Sequence, residues 1–141
     1  MRTTLRSILA LALLLGFALP SLAAGAAKDL EGTPQAKVYR ASLKAIEAGD
    51  FAAYAKCMTS QAVKEIEAQT KEMGKTTKEG MELMKMMAPS DIKLTDLKVD
   101  GKKAVLSATG MQDKEVMYGS IDLEEENGQW KVGKQSWTNK K

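Results

Sequence analysis

The stretch "MMAPSDIKLTDLKVDGKKAVLSATG", Met86 to Gly110, is where the chain changes its rhythm. Up to Pro89 the apolar residues recur at helical spacing. Beyond it, Ile92 and Leu94 alternate with Lys93, the period of a half-buried strand. The alternation slips near Asp96 and resumes at Leu97 and Val99, which predicts a β-bulge. Asp100-Gly101 is a hairpin signal, so "KAVLSATG" returns as a second, antiparallel strand. Pro89 lacks the N–H that a helix interior needs. The switch from helix to sheet therefore falls at this proline.

Toward the C-terminus, "KEVMYGSIDLEEE" reads as a longer strand with Met117, Gly119, Ile121 and Leu123 on one side. Asn127-Gly128 is another hairpin signal, and "QWKVGKQSW" is the last strand. Toward the N-terminus the signals are helical. Thr33 is an N-cap followed by Pro34 at the first helical position, and Gly49 is the C-cap of the helix so begun. Within it, Val38, Tyr39, Leu43 and Ile46 share one side. Asp50 opens a second helix, "DFAAYAKCM". Thr59-Ser60 caps a third, expected to turn Ala62, Ile66 and Met73 inward, and Gly74 closes it. Thr76 or Thr77 caps the fourth. Helices first and an antiparallel meander of about four strands afterward make this an α+β domain.

The fourth helix holds "MELMKMM", Met81 to Met87, and poses a choice between a soft-metal site and a helix underside. At 100° per residue, Met81, Met84 and Met87 fall in one sector with Leu83, while Met86 lies across the wheel beside Lys85 and Glu82. Thioethers can hold Cu(I), so Met81, Met84 and Met87 are the alternative metal set. The sequence contains no histidine to complete such a site. Methionine also occurs at 58, 73, 111 and 117, as a general filler of irregular core gaps. The core reading is the expectation, and no metal or other cofactor is assigned.

Residues 1–23 have the order of a secretory signal peptide: Arg2 and Arg6, an apolar run from Ile8 to Leu19, Pro20, then small residues through Ala24. The apolar run is shorter than the about 20 residues that span a bilayer. Gly25 stands where a lipoprotein needs cysteine. Cleavage after 23 of the 141 residues leaves 118, enough for one small domain. The expected organisation is a lead-in over 24–32, a single domain over 33–138 and a basic tail over 139–141, with a periplasmic or secreted destination. Losing Arg2 and Arg6 lowers the 21 Lys+Arg to 19, against 18 Asp+Glu. A charge near +1, spread along the chain, lacks the clustered basic footprint of a nucleic-acid binder. The single cysteine, Cys57, cannot form an internal disulfide.

The absence of histidine removes Ser-His-Asp and Cys-His nucleophiles and the usual zinc sites. Ser90-Asp91-Ile92-Lys93 matches S-x-x-K, but it follows a helix-ending proline and has neither partner motif of the penicillin-recognising enzymes. The acidic run Asp122, Glu124, Glu125 and Glu126 lacks the spacing of a calcium loop and reads as a solvated strand end. Tyr39, Tyr54, Tyr118 and Trp130 each combine an apolar body with a polar tip, and they are the candidate ligand-binding residues.

"AIEAGDFAAYAKCMTSQAV" (Ala45 to Val63), the "VDGKKA" hairpin and the closing "NGQWKV" resemble the nuclear-transport-factor-2-like superfamily of cystatin-like cone domains, over about Thr33 to Trp137. The nearest resemblance is to its small exported bacterial members of unknown function. It implies a curved sheet wrapped around the first helix, a pocket at the wide end, and the ability of two domains to pair through their sheet faces as a homodimer. The function expected from the residues and the resemblance together is an exported, non-enzymatic binding domain. It would take an apolar small ligand or an envelope protein partner. The alternatives are an isomerase- or dehydratase-like enzyme using a tyrosine and a carboxylate, and the methionine Cu(I) site.

Overall fold

The computed structural model describes residues 29–141. The signal peptide and its cleavage site, expected within the first 24 residues, lie outside the described residues. Four helices come first: α1 (Pro34–Ala48), α2 (Phe51–Cys57), α3 (Ser60–Glu72) and α4 (Thr77–Met87). Four strands follow: β1 (Ser90–Asp100), β2 (Lys103–Gln112), β3 (Glu115–Glu126) and β4 (Gln129–Thr138). They form one antiparallel sheet in sequence order, open at both edges. The α+β reading holds. A 3-10 turn, Leu30–Gly32, precedes α1 and packs against α1 and β1, so the end of the expected lead-in is built into the domain.

Local chemistry sets each helix boundary. Thr33, Asp50, Thr59 and Thr76 cap α1 to α4, each side chain accepting a hydrogen bond from a backbone N–H in the first turn. These caps offset the donors that a helix start leaves orphaned. Gly49 ends α1 in the left-handed region at φ 68°. The hairpin turns follow the same logic. Asn127 and Gly128 both have positive φ, 51° and 77°, as a two-residue loop with a right-handed strand twist demands. The first hairpin centres one residue later than Asp100-Gly101 predicts: Asp100 pairs with Lys103, leaving Gly101 and Lys102 as the loop. The middle hairpin turns through Asp113 and Lys114, at φ 48° and 71°. No glycine marks it in the sequence.

Helices cover one face of the sheet. Ala104, Leu106, Ile121, Leu123 and Val132 alternate inward and meet Tyr39, Ile46, Tyr54, Met58 and Met81 from the helices. Burying a residue such as Leu106 or Met81 contributes about 1.5–3 kcal/mol. That burial holds α2, whose 7 residues are too few for a helix stable on its own. α1 lies against β4 and β2, and α4 lies against α1. The register of β1 against β2 slips between Leu94 and Asp96, at the predicted bulge. Two further slips, between Ser90 and Lys93 against β2 and between Ile121 and Leu123 against β4, have no signal in the sequence.

Two methionines depart from the expected inward stripes. Met73 is 55% exposed and Met87 is 70% exposed. Each stands at the end of its helix, Met73 as the C-cap of α3 and Met87 as the last residue of α4. There the helix has run past the surface it covers. The acidic run also gains a structural part: the Glu126 carboxylate accepts from the backbone N and Oγ of Ser60, at 3.1 and 3.0 Å, across the start of α3.

Candidate functional site: an apolar cavity under the first helix

A cavity of about 190 Å³ lies between α1, the end of α4, β1 and β4. Tyr39, Leu43 and Ile46 follow one another at helical spacing along α1 and form one wall. Met84, Met87, Ala88 and Pro89 supply the second wall, Ile92 the third, and Gln135 and Trp137 the floor from β4. No charged side chain lines it.

The position of Trp137 follows from two glycines. Gly119 is its partner across β3–β4. A Cβ built on Gly119 would stand 2.7, 2.8 and 2.9 Å from three indole carbons, and one on Gly110 would stand 3.4 Å from the ring and 2.8 Å from Pro89 Cβ. The indole therefore lies flat over a bare strip of backbone on β3, with β2 beside it. Without side chains at 119 and 110, the ring can pack on the sheet and form the cavity floor.

Tyr39 is 0% exposed, and its hydroxyl has no hydrogen-bond partner among the described residues. Buried tyrosine hydroxyls ordinarily find one. Burial pushes its pKa up to about 12 by desolvating the anion, with Arg40 pulling the other way and Tyr54 adding to the rise. The group is thus a neutral phenol at physiological pH.

Charges gather in an adjoining cleft that shares Leu43, Ile46, Ala88, Pro89 and Ile92 with the cavity and is lined also by Arg40, Glu47, Lys85 and Asp91. Its two cations are already engaged. Arg40 donates to both Glu31 oxygens, Nη2 at 2.6 Å and Nε at 3.0 Å, and to the Ile92 carbonyl at 3.0 Å. The Arg40 guanidinium holds the Glu31 carboxyl below its ordinary range through those hydrogen bonds. Lys85 donates to the Glu47 carbonyl at 3.2 Å, near the end of α1. This bracing fixes the 3-10 turn, α1, α4 and β1 to one another at the cavity rim.

The four aromatic candidates do not meet in one place. Tyr39 is in the cavity wall. Tyr54 is in the main core, 2% exposed, and burial pushes its pKa up to about 12 as well. Tyr118 is on the outer face of the sheet, between Thr109 and Thr138 in register. Trp130 is half-buried on the helix-covered face at the other end of β4, opposite Glu125. The methionines of α4 spread from core to solvent: Met81 is sealed at 0% exposure, Met84 is half-buried, and Met87 stands at the cavity edge. Among the described residues no group of three or more His, Cys, Asp or Glu is arranged to hold a metal ion. Cys57 is half-buried, and burial raises its pKa against the pull of Lys131.

Ile92, Gln135 and Trp137 were not legible as site residues, because strands distant in sequence bring them under α1. The one available signal was the glycine at 119 in an otherwise bulky strand. No protein-family model matches the chain, and no curated protein matches its sequence.

Proposed function

We propose that this is an exported, non-enzymatic domain of the nuclear-transport-factor-2-like kind that holds one small apolar molecule in the cavity between α1 and β4. The observation that carries this reading is the cavity itself: about 190 Å³, lined mainly by apolar side chains with Gln135 in its floor, and bounded by elements braced at the rim. It is open to solvent on one side, where Met87 is 70% exposed, so a ligand can enter it without unfolding of the domain. Its volume is below the roughly 300–1,000 Å³ of drug-sized sites, which points to a compact ligand. The basic, apolar and small-residue order of residues 1–24 supports export to the periplasm or beyond. The carboxylates of the adjoining cleft, Glu47 and Asp91, do not line the cavity to which Tyr39 belongs. That separation favours binding over a tyrosine–carboxylate reaction.

The test is native mass spectrometry of the chain recovered from the periplasm after expression with its own N-terminal segment. The expected result is a cleaved protein carrying an added small mass. The cavity-filling variant Ala88→Phe should lose that mass while remaining folded. A protein that is always empty, from lysate and from periplasm alike, would defeat the reading.

A further inference from the structure

We infer that Met87 is a modification site at the mouth of the cavity: oxidation of its thioether to the sulfoxide by hydrogen peroxide weakens the hold on an apolar ligand. This deepens the proposed function and rests on it.

Two properties coincide in this one side chain. Among the described residues, Met73, Met86 and Met87 are the methionines that stand more than half exposed, at 55%, 73% and 70%. Exposure governs how readily a thioether meets an oxidant. Of these three, Met87 alone lines the cavity. Met84 lines it too, one turn earlier, but is half-buried, and Met81 is buried outright. The end of α4 creates this pattern. Helical spacing puts Met84 and Met87 on the same side, while Met86 lies across the helix. The helix stops at Met87, Ala88 is already extended and Pro89 is buried. The last methionine of the stripe is thus left in solvent while still bounding the cavity.

The one thiol is a poor competitor. Cys57 is half-buried, and burial raises its pKa against the pull of Lys131. The thiolate is the reactive form, so an exposed thioether is the readier sulfur. The reaction is a two-electron oxygen transfer. A lone pair on Met87 Sδ attacks one peroxide oxygen, and the S–O bond forms as the O–O bond breaks. The departing hydroxide takes the proton of the transferred oxygen and leaves as water. Sulfur is oxidised and peroxide is reduced. The side chain changes from apolar to polar. A sulfoxide oxygen laid against the apolar wall and its ligand would lose its hydrogen bonds to water. The oxidised side chain therefore stays in solvent, and the ligand loses the apolar contact that Met87 supplies at the mouth. Methionine sulfoxide reductases, one for each epimer, reverse the change.

Benzene serves as the probe, since a dry cavity of about 150 Å³ accepts it and this one holds about 190 Å³. The purified protein is treated with hydrogen peroxide, peptide mass spectrometry follows each methionine, and methyl NMR of Leu43, Ile46 and Ile92 gives the Kd for benzene before and after. Met73, Met86 and Met87 should gain oxygen well before Met58 and Met81. Benzene affinity should then fall about fourfold, the equivalent of burying one methylene less. It should return after reduction with both sulfoxide reductases. Met86→Leu should keep this response. Met87→Leu should abolish it, whatever its starting affinity, and Met87→Gln should bind benzene weakly with no oxidant present. A Met87 as resistant to peroxide as Met81, an oxidised protein that binds benzene as before, or a response that survives in Met87→Leu overturns the inference and leaves the apolar cavity standing. Failure of benzene to bind the untreated protein overturns this inference together with the proposed function.

Discussion

Gly119 shows how much a single absent side chain can position. Its partner Trp137 sits so close that a methyl at 119 would meet three ring carbons at 2.7–2.9 Å. An indole is rigid, and three of its ring carbons lie closer than a Cβ tolerates, so the ring as a whole would have to move. Gly119→Ala should therefore destabilise the fold by about 1–3 kcal/mol, the usual cost of overpacking. It should also tilt Trp137 and change the cavity floor. Urea unfolding followed by tryptophan fluorescence measures both. A stability within error of wild type would mean that the ring has freedom this geometry denies it. Tyr39 and Trp137 differ in how readable they are from the sequence. The apolar phase of Tyr39 along α1 announces a covered position, but nothing local announces that its hydroxyl goes unpaired.

For the individual elements, short-range signals do most of the work. The four caps, the Gly49 stop and the Asn127-Gly128 turn depend only on neighbouring residues, which is why they are readable in order along the chain. Thr59 has a wider reach. Its hydroxyl accepts from Ala62 N at 3.1 Å to cap α3, and its own N–H donates to the Val132 carbonyl at 2.8 Å. One residue thereby caps a helix and fastens its start to an edge strand, beside the parallel Met58–Val132 bridge. Thr59→Ala removes the cap and keeps the backbone bond. The expected loss is about 1–2 kcal/mol, at the upper part of the range for cap substitutions because the site is buried. Thermal unfolding checks it, and Thr59→Ser, which restores the hydroxyl, should recover most of the loss. The places where elements defied the sequence have a common cause. Met73 and Met87 keep the helical phase but stand at helix ends, where the surface to be covered has run out. Asp113 and Lys114 form a tight turn because β2 and β3 pair continuously on both sides of it, and pairing overrode residue preference.

For the whole molecule, the two buried tyrosines tie stability to alkaline pH. Both have pKa values pushed from 10.0 up to about 12 by burial. The unfolded chain releases these protons near pH 10, whereas the folded protein holds them until about pH 12. Above pH 10 the unfolded state therefore binds fewer protons than the folded state, and stability falls as pH rises. Each tyrosine contributes a loss of up to about 1.4 kcal/mol per pH unit across that window. Below pH 10 neither contributes a pH dependence. Urea midpoints measured at pH 9, 10 and 11, with tyrosinate absorbance in parallel, should stay level to pH 10 and then drop steeply. A level midpoint through pH 11 would contradict the burial of Tyr39 and Tyr54.

The sequence by itself determined the α+β class, the helix-to-sheet switch at Pro89, the caps and two of the three hairpins. Each of these is governed by backbone sterics, hydrogen-bonding groups or hydrophobic period within a few residues. Only the tertiary structure decided where a cavity would form and what would line it. That outcome depends on which distant side chains fail to fill space together: Leu43 and Ile46 from α1, Met84 from α4, Ile92 from β1, and Trp137 laid over Gly119. Packing is a sum over the whole fold, and a void is what that sum leaves over. No local pattern in the chain encodes it.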